Sequence, residues 1–349
     1  MKIIIAFDSF KGSLTAEEAC YTAACAIQHV DKDAEIVEIP LSDGGEGLTK
    51  CIEKFLPTST IQLEVHSPLM KKLRASYALS KDDTTAYMEM ASASGLTLVA
   101  QKDRNPLITT TYGVGEMIAD ATKRGCKHII MGIGGSATCD GGIGMIKALE
   151  DHKSLNCKCK ITVACDVTNP FCGPQGAAHI FAPQKGADKQ MVERLDRGMH
   201  HFATIIKQYN KVDVTQTPGA GAAGGLGGAF SALLGASLCR GVELVLDALR
   251  FDELLKGCDL VVTGEGCIDR QTLMGKAPMG VLKAATRRGI PVVAIGGSVE
   301  HSPELSQSGF SSILSINADG LPLHLAMRPD VARENVKRIA LNLLLNSNW

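Results

Sequence analysis

The hydrophobic pattern changes period repeatedly along the chain, and polar chemistry collects where it changes. Ile3-Ile4-Ile5-Ala6-Phe7 is an unbroken apolar run. Short and β-branched, it predicts a strand buried on both faces, over Lys2–Ala6. Thr15-Ala16-Glu17-Glu18 reads as a capping box, and the helix it opens extends to about Val30. A second strand is expected at Ala34–Ile39, stopped by Pro40, and a short helix ending at Phe55. The period then shifts. Ile61–Val65, Leu73–Leu79 and Thr85–Met90 alternate, with Lys81-Asp82-Asp83 as a turn, which predicts antiparallel pairing. A helix over Val114–Arg124 and a strand at Ile129-Ile130-Met131 restore the βα rhythm.

Further strands are predicted at Ile161–Cys165, His179–Phe181, Leu260–Thr263, Pro291–Ile295 and Ile313–Ile316. Helices are predicted at Lys189–Tyr209, Val242–Leu249 and Pro278–Arg288. The last helix starts near Pro329, and its apolar positions 332, 336, 339, 340, 343 and 344 form one core-facing stripe. Parallel-type strands near both ends with an antiparallel group inside imply an α/β chain whose first domain is discontinuous. We place its limits at 1–64 and 240–349, with a second domain at 65–239.

Composition narrows the class. The 349 residues allow about two domains. A hydrophobic content of 45% supplies a sizeable core, so disorder is excluded. With only 4% aromatics and a net charge of −1, neither a nucleic-acid nor a membrane partner is implied. The first apolar run is too short for a signal peptide, and no run is long enough to span a bilayer. The 12 cysteines therefore read as reduced cytoplasmic thiols. Cys157, Cys159, Cys165 and Cys172 lack the paired knuckles of a zinc site and read as incidental.

The candidate chemistry lies in loops after the strands, where α/β sheets bind ligands. These loops span residues 8–13, 42–47, 132–142, 166–170, 219–228 and 264–269, and each combines glycine, an acid or both. The richest in chemistry is G-I-G-G-S-A-T-C-D-G-G, Gly132 to Gly142. Glycines there let backbone N–H groups approach an anion, and a helix start follows. Isolated acids recur after apolar strands: Asp8, Asp43, Asp140, Asp166, Glu265 and Asp269. Acids beside a phosphate cradle would repel the ligand unless a divalent cation lay between, so a Mg²⁺-nucleotide is the economical reading. Lys11, Lys185 and Lys276 are candidates to neutralise a transferring phosphoryl group.

Rival motifs fail. No G-x-x-x-x-G-K-[ST] occurs, because Ala277 follows Gly275-Lys276. Gly219 to Gly224 matches G-x-G-x-x-G, but Pro218 precedes it and no ribose-binding acid follows at the right distance. No nucleophile elbow or Ser-His-Asp grouping is present. His200-His201 is expected on a helix surface. Cys139 and Cys267 have no cationic neighbour in sequence and read as unreactive.

Taken in order, Asp8-Ser9-Phe10-Lys11-Gly12-Ser13, Asp43-Gly44-Gly45-Glu46-Gly47, Gly132 to Gly142, Ala164-Cys165-Asp166-Val167, Pro183-Gln184-Lys185-Gly186-Ala187, Gly219 to Gly225, and Thr263-Gly264-Glu265-Gly266 with Ile268-Asp269 and Gln271-Thr272 resemble the glycerate kinases of the type-1 family. The resemblance covers nearly the whole chain. It implies ATP-dependent, Mg²⁺-assisted phosphorylation of D-glycerate. It also implies two α/β domains around a cleft, one flavodoxin-like with a parallel sheet and one with a mixed sheet.

Within that resemblance, Asp166 is the expected base, and Lys11 with Asp8 completes the catalytic set. Glu265 and Asp269 are the expected metal neighbourhood. Ser9, Asp43, Gly44, Gly45, Gly134, Gly135, Ser136, Asp140, Lys185, Gly221, Gly224 and Gly225 are the expected substrate and nucleotide contacts. The protein would act as a monomer or homodimer. Departures from the family pattern are Phe7 for Pro, Ser42 for Ala, Cys139 for Asn and Cys267 for Arg, and Glu150–Lys160 is shortened. They keep two alternatives in view: a kinase of a related hydroxy acid, and a glycerate or nucleotide sensor.

Overall fold

The computed structural model describes residues 1–42, 47–156, 158–318 and 320–345. In chain order the strands are β1 (Lys2–Phe7), β2 (Glu35–Glu38), β3 (Thr58–His66), β4 (Lys72–Ser80), β5 (Thr85–Glu89) and β6 (His128–Gly132). They continue as β7 (Lys160–Ala164), β8 (Ser237–Cys239), β9 (Leu260–Ile268), β10 (Val292–Val299) and β11 (Ser312–Ser315). The chain divides into two compact units, residues 1–43 with 242–349, and residues 44–241.

The first unit carries a parallel sheet in the order β2-β1-β9-β10-β11. Numbered within the unit this is 2-1-3-4-5, the flavodoxin-like order. Ile3, Ile5 and Phe7 of β1 pack with Leu260, Val262, Val293 and Ile295 beneath the helices Ala16–Val30 and Pro329–Leu345. Ile4 is as fully buried as Ile3 and Ile5, as expected of a strand covered on both faces. The capping box is present: Thr15 Oγ1 accepts from the Glu18 amide at 3.1 Å, and Glu18 accepts from the Thr15 amide at 2.9 Å.

The second unit carries a mixed sheet in the order β3-β4-β5-β6-β7-β8. Its β3–β4 and β4–β5 pairs are antiparallel and the rest are parallel. The turn between β4 and β5 is built by Asp82, which accepts from Ser80 Oγ at 2.6 Å and the Thr84 amide at 3.1 Å. Tyr77, Met88, Met117, Ile129, Met131 and Phe230 belong to this unit's own core.

Three local expectations change. Residues 179–181 are helical, within Ala177–Phe181, because a buried Ala177-Ala178 pair starts a short turn there instead of a strand. Residues 264–268 are strand, not loop, and β10 runs beyond the expected end at Ile295, since β9 and β10 stay paired as far as Ile268 and Val299. Their glycines allow tight apposition: a Cβ on Gly264 would lie 2.3 Å from the Ile295 carbonyl oxygen. A domain limit at 64/65 would cut through β3, whose full length pairs with β4.

Candidate active site

In the first unit the strand order reverses between β1 and β9, so the carboxyl ends of these two strands form the switch point where such sheets bind ligands. Asp8 follows β1, is buried, and accepts from the Ser9 amide at 2.6 Å. Lys11 lies on the exposed turn beyond. Gly266 brings β9 close to the turn, where an added Cβ would lie 3.3 Å from the Lys11 backbone nitrogen. A cavity of about 360 Å³ opens here, lined by Lys11, Gly266, Ser298, Ser315 and Asn317 among others. A larger cavity of about 1050 Å³ lies among Glu243, Arg250, Lys283 and neighbouring helix residues, and none of the strand-end acids lines it.

Glu265 and Asp269 share one cation. Lys276 Nζ lies 3.6 Å from Glu265 Oε2 and 3.6 Å from Asp269 Oδ1. Glu265 Oε1 accepts from Thr272 Oγ1 at 2.7 Å. Burial raises the Glu265 carboxyl above the ordinary glutamate range, against the Thr272 hydrogen bond and the Lys276 charge. Asp269 is also an N-cap: its Oδ1 accepts from the amides of Gln271 at 2.8 Å and Thr272 at 3.1 Å. Two carboxylates around one cation position suit Mg²⁺, which takes one or two protein carboxylates and completes its shell with phosphate and water oxygens. Among the described residues no group of three or more His, Cys, Asp and Glu side chains is gathered as a dedicated metal cage.

The second unit presents the carboxyl ends of β6 and β7 side by side, with Gly132 paired to Ala164. Two residues beyond each lie Gly134 and Asp166. Asp166 is exposed, and its Oδ1 accepts from the Gly241 amide at 2.9 Å. Gly134, Gly135 and Ser136 form the accessible part of the β6 loop. The Gly135 carbonyl accepts from the Leu96 amide at 2.8 Å, and the Ala137 amide donates to the Ser94 carbonyl at 2.9 Å. The amides of Gly134, Gly135 and Ser136 find no acceptor among the described residues. Gly135 sits at φ +69°, which favours glycine.

Asp140 stands in this loop but faces inward. Its carboxylate accepts from the Thr111 amide at 2.8 Å, Thr111 Oγ1 at 2.9 Å and Thr110 Oγ1 at 3.3 Å. It also accepts from the amides of Gly142 at 3.1 Å and Gly144 at 3.2 Å. Its oxygens are spent on fastening residues 110–111 to 140–144. The sequence signal for those partners is Thr109-Thr110-Thr111, a hydroxyl run just before a helix.

Lys185 is 1% exposed. Its Nζ donates to Ser136 Oγ at 2.6 Å and to the Thr138 carbonyl at 2.6 Å. Burial lowers it to about 8, while the nearby Cys139 and Asp140 push it up. Lysine at 185 therefore braces the β6 loop from within.

The glycine run after Pro218 is a packing device. Gly224 and Gly225 are buried at φ +71° and +91°. A Cβ on Gly224 would lie 2.1 Å from the Thr138 carbonyl oxygen, and one on Gly221 would lie 2.2 Å from that of Pro170. The run thus supports the β6 and β7 loops from behind. Asp43, Gly44 and Gly45 lie outside the described residues.

The cysteines divide as burial dictates. Cys139 is buried and its thiol is pushed up to about 11, so it is not a nucleophile. Cys267 is exposed, with its Sγ 3.7 Å from Asp269 Oδ2. Cys159, Cys165 and Cys172 each have separate partners: the Cys126 carbonyl, the Val167 carbonyl and His200. Cys157 lies outside the described residues.

This chain is similar to known proteins over its full length. The model of the "Glycerate kinase family" matches residues 3–153 and 150–346, and the two matches meet at the shortened segment after residue 150. A glycerate kinase of Bacillus cereus is 44% identical, covering 98% of this chain and 97% of that one. A glycerate 2-kinase of Escherichia coli K12 is 41% identical, with 98% and 97% covered. A crystal structure assigned to glycerate kinase 2 of Salmonella typhimurium LT2 superposes with a TM-score of 0.83 at 40% identity, covering 99% of this chain and 98% of that chain. A likeness that spans both units and includes the strand-end loops of each shows that the chain belongs to the glycerate kinase family.

Proposed function

We propose that this chain is an ATP-dependent glycerate kinase that transfers the γ-phosphoryl group of ATP in line to a hydroxyl of D-glycerate. The observation that carries the reading is the full-length likeness to glycerate kinases, at 41–44% identity, in a chain that keeps its acids and glycines at strand carboxyl ends. The name of the Escherichia coli relative makes the 2-hydroxyl our choice of acceptor.

Each role follows from chemistry. Asp166, exposed after β7 and oriented by the Gly241 amide, takes the proton of the attacking hydroxyl. Glu265 and Asp269 would hold Mg²⁺, which when bound would supply positive charge to the phosphoryl group in transfer. Lys276, already between the two carboxylates, stays close enough to meet a phosphate oxygen. Lys11 contacts a phosphate or the glycerate carboxylate, and Asp8 fixes the turn that carries it through the Ser9 amide. Asp43, Gly44 and Gly45 complete the nucleotide contacts. Gly221, Gly224 and Gly225 serve through the loops they support.

No helix among the described residues is long and apolar enough to cross a membrane. A cytoplasmic setting, with ATP and thiols kept reduced, is part of the proposal, and so is a monomer or homodimer. The test is ADP release from purified protein with ATP and Mg²⁺ over a panel of small hydroxy acids. Turnover with D-glycerate supports the proposal, and ³¹P NMR of the product identifies the hydroxyl. Turnover only with another acid makes the chain a kinase of that acid. Calorimetric binding of D-glycerate without turnover makes it a sensor.

A further inference from the structure

The β6 loop is built as a set of donors with a buried positive charge behind it. An ammonium group only donates hydrogen bonds, so Ser136 Oγ, 2.6 Å from Lys185 Nζ, must accept there. Its own O–H is thereby left to donate away from the lysine. Beside it, the amides of Gly134, Gly135 and Ser136 have no acceptor among the described residues. The Thr138 hydroxyl is fully buried without a partner, while the carbonyl of the same residue accepts from Lys185.

No carboxylate among the described residues lies within ion-pairing distance of Lys185; Asp140, whose charge acts on it, is saturated by its own loop. A lone buried ammonium is costly until a counter-anion arrives. The accessible residues of the loop, Gly134 to Ser136, offer donors and no acid, so they fit an anion that brings no metal. The first unit, with Lys276 between two carboxylates, fits the opposite case of phosphate with Mg²⁺.

We propose that Gly134-Gly135-Ser136 is the subsite for the carboxylate of the acceptor hydroxy acid, with Ser136 Oγ as a direct donor and Lys185 as the positioning residue that fixes its polarity. This rests on the reading of the chain as a glycerate kinase and specifies which end of glycerate the loop holds. Neighbouring parallel strands lie roughly 5 Å apart. An acid whose carboxylate sits on the β6 loop therefore has its hydroxyls within reach of Asp166 after β7. The loop so selects acids with a hydroxyl close to the carboxylate.

The test measures the KM values for D-glycerate and for ATP in Ser136→Ala, Ser136→Thr and Lys185→Met, with thermal melts to verify folding. Ser136→Ala should raise the KM for D-glycerate about tenfold or more, the loss of one hydrogen bond to a charged group, and leave the KM for ATP within about twofold. Ser136→Thr, which keeps the hydroxyl, should recover most of the loss. Lys185→Met should reproduce the Ser136→Ala split wherever it folds. A rise in the KM for ATP alone would make the loop a phosphate site and overturn the proposal, as would no change in either constant. Wild-type protein that turns over no hydroxy acid would overturn the kinase reading instead. The subsite is then judged by calorimetry with D-glycerate: binding to wild type that Ser136→Ala loses upholds it, and equal or absent binding in both overturns it.

Discussion

Asp140 and Asp166 look alike in sequence, each an isolated acid in the loop after an apolar strand. The structure separates them by where their oxygens go. Asp140 accepts from five donors within its own unit and is a structural pin. Replacing it by alanine leaves two threonine hydroxyls and three amides short of an acceptor. We expect Asp140→Ala to destabilise the protein by about 3 kcal/mol in urea unfolding, with Asp140→Asn losing less because one acceptor oxygen remains. Asp166 is exposed, and its loss should read in rate. Asp166→Asn should lower kcat by about 10²-fold or more with KM values and melting temperature little changed; near-normal turnover would remove it as the base. Lys185 makes its own prediction. Its folded value of about 8 lies below the ordinary lysine value of 10.5, so between these pH values the unfolded chain binds more protons than the folded one. Stability of the wild type relative to Lys185→Met should therefore rise from pH 8 toward pH 10. Taking the difference between the two proteins cancels a thiol that Lys185 does not influence, such as Cys165, raised to about 11, which acts with the opposite sign. A flat difference across that range would show that Lys185 is not depressed.

At the scale of elements, strands and long helices were legible because burial imposes a period. The run 3–7, the alternation at 61–90 and the stripe from 332 to 344 each became the element expected. Glycine was the weak signal, since it marks both anion cradles and close packing. Gly134 and Gly135 are accessible, with amides that find no acceptor among the described residues, whereas Gly221, Gly224 and Gly225 are buried with no room for a Cβ. Only tertiary contacts separate the two uses. The extension of β9 through Glu265 was equally hidden, because three glycine and cysteine positions interrupt the apolar pattern while the pairing to β10 continues. Gly142 gives the element-scale test. It sits at φ +82°, and an added Cβ would lie 2.5 Å from that of Ala229. Gly142→Ala should cost roughly 3 kcal/mol of stability, from left-handed strain plus overpacking, measured by the shift in urea midpoint at constant m-value.

On the scale of the whole molecule, the sequence pattern showed a discontinuous first domain because parallel-type strands flank an antiparallel insert. The limit at 64/65 divides β3, whose alternation already pointed to its pairing with β4, and the two units part near residue 43 instead. Each unit has a core of its own. Residues 47–241 expressed alone should accordingly show a cooperative thermal transition, whereas residues 1–43 alone should not, because β1 is hydrogen-bonded to β9 across more than 200 residues of chain. The central claim is that this chain phosphorylates glycerate. Its most direct measurement is the steady-state rate of ADP release from purified protein with ATP, Mg²⁺ and D-glycerate, against the same protein carrying Asp166→Asn. Our account predicts saturable turnover that depends on D-glycerate and falls about 10²-fold or more in the variant. ADP release that ignores D-glycerate, or equals that of the variant, would contradict it.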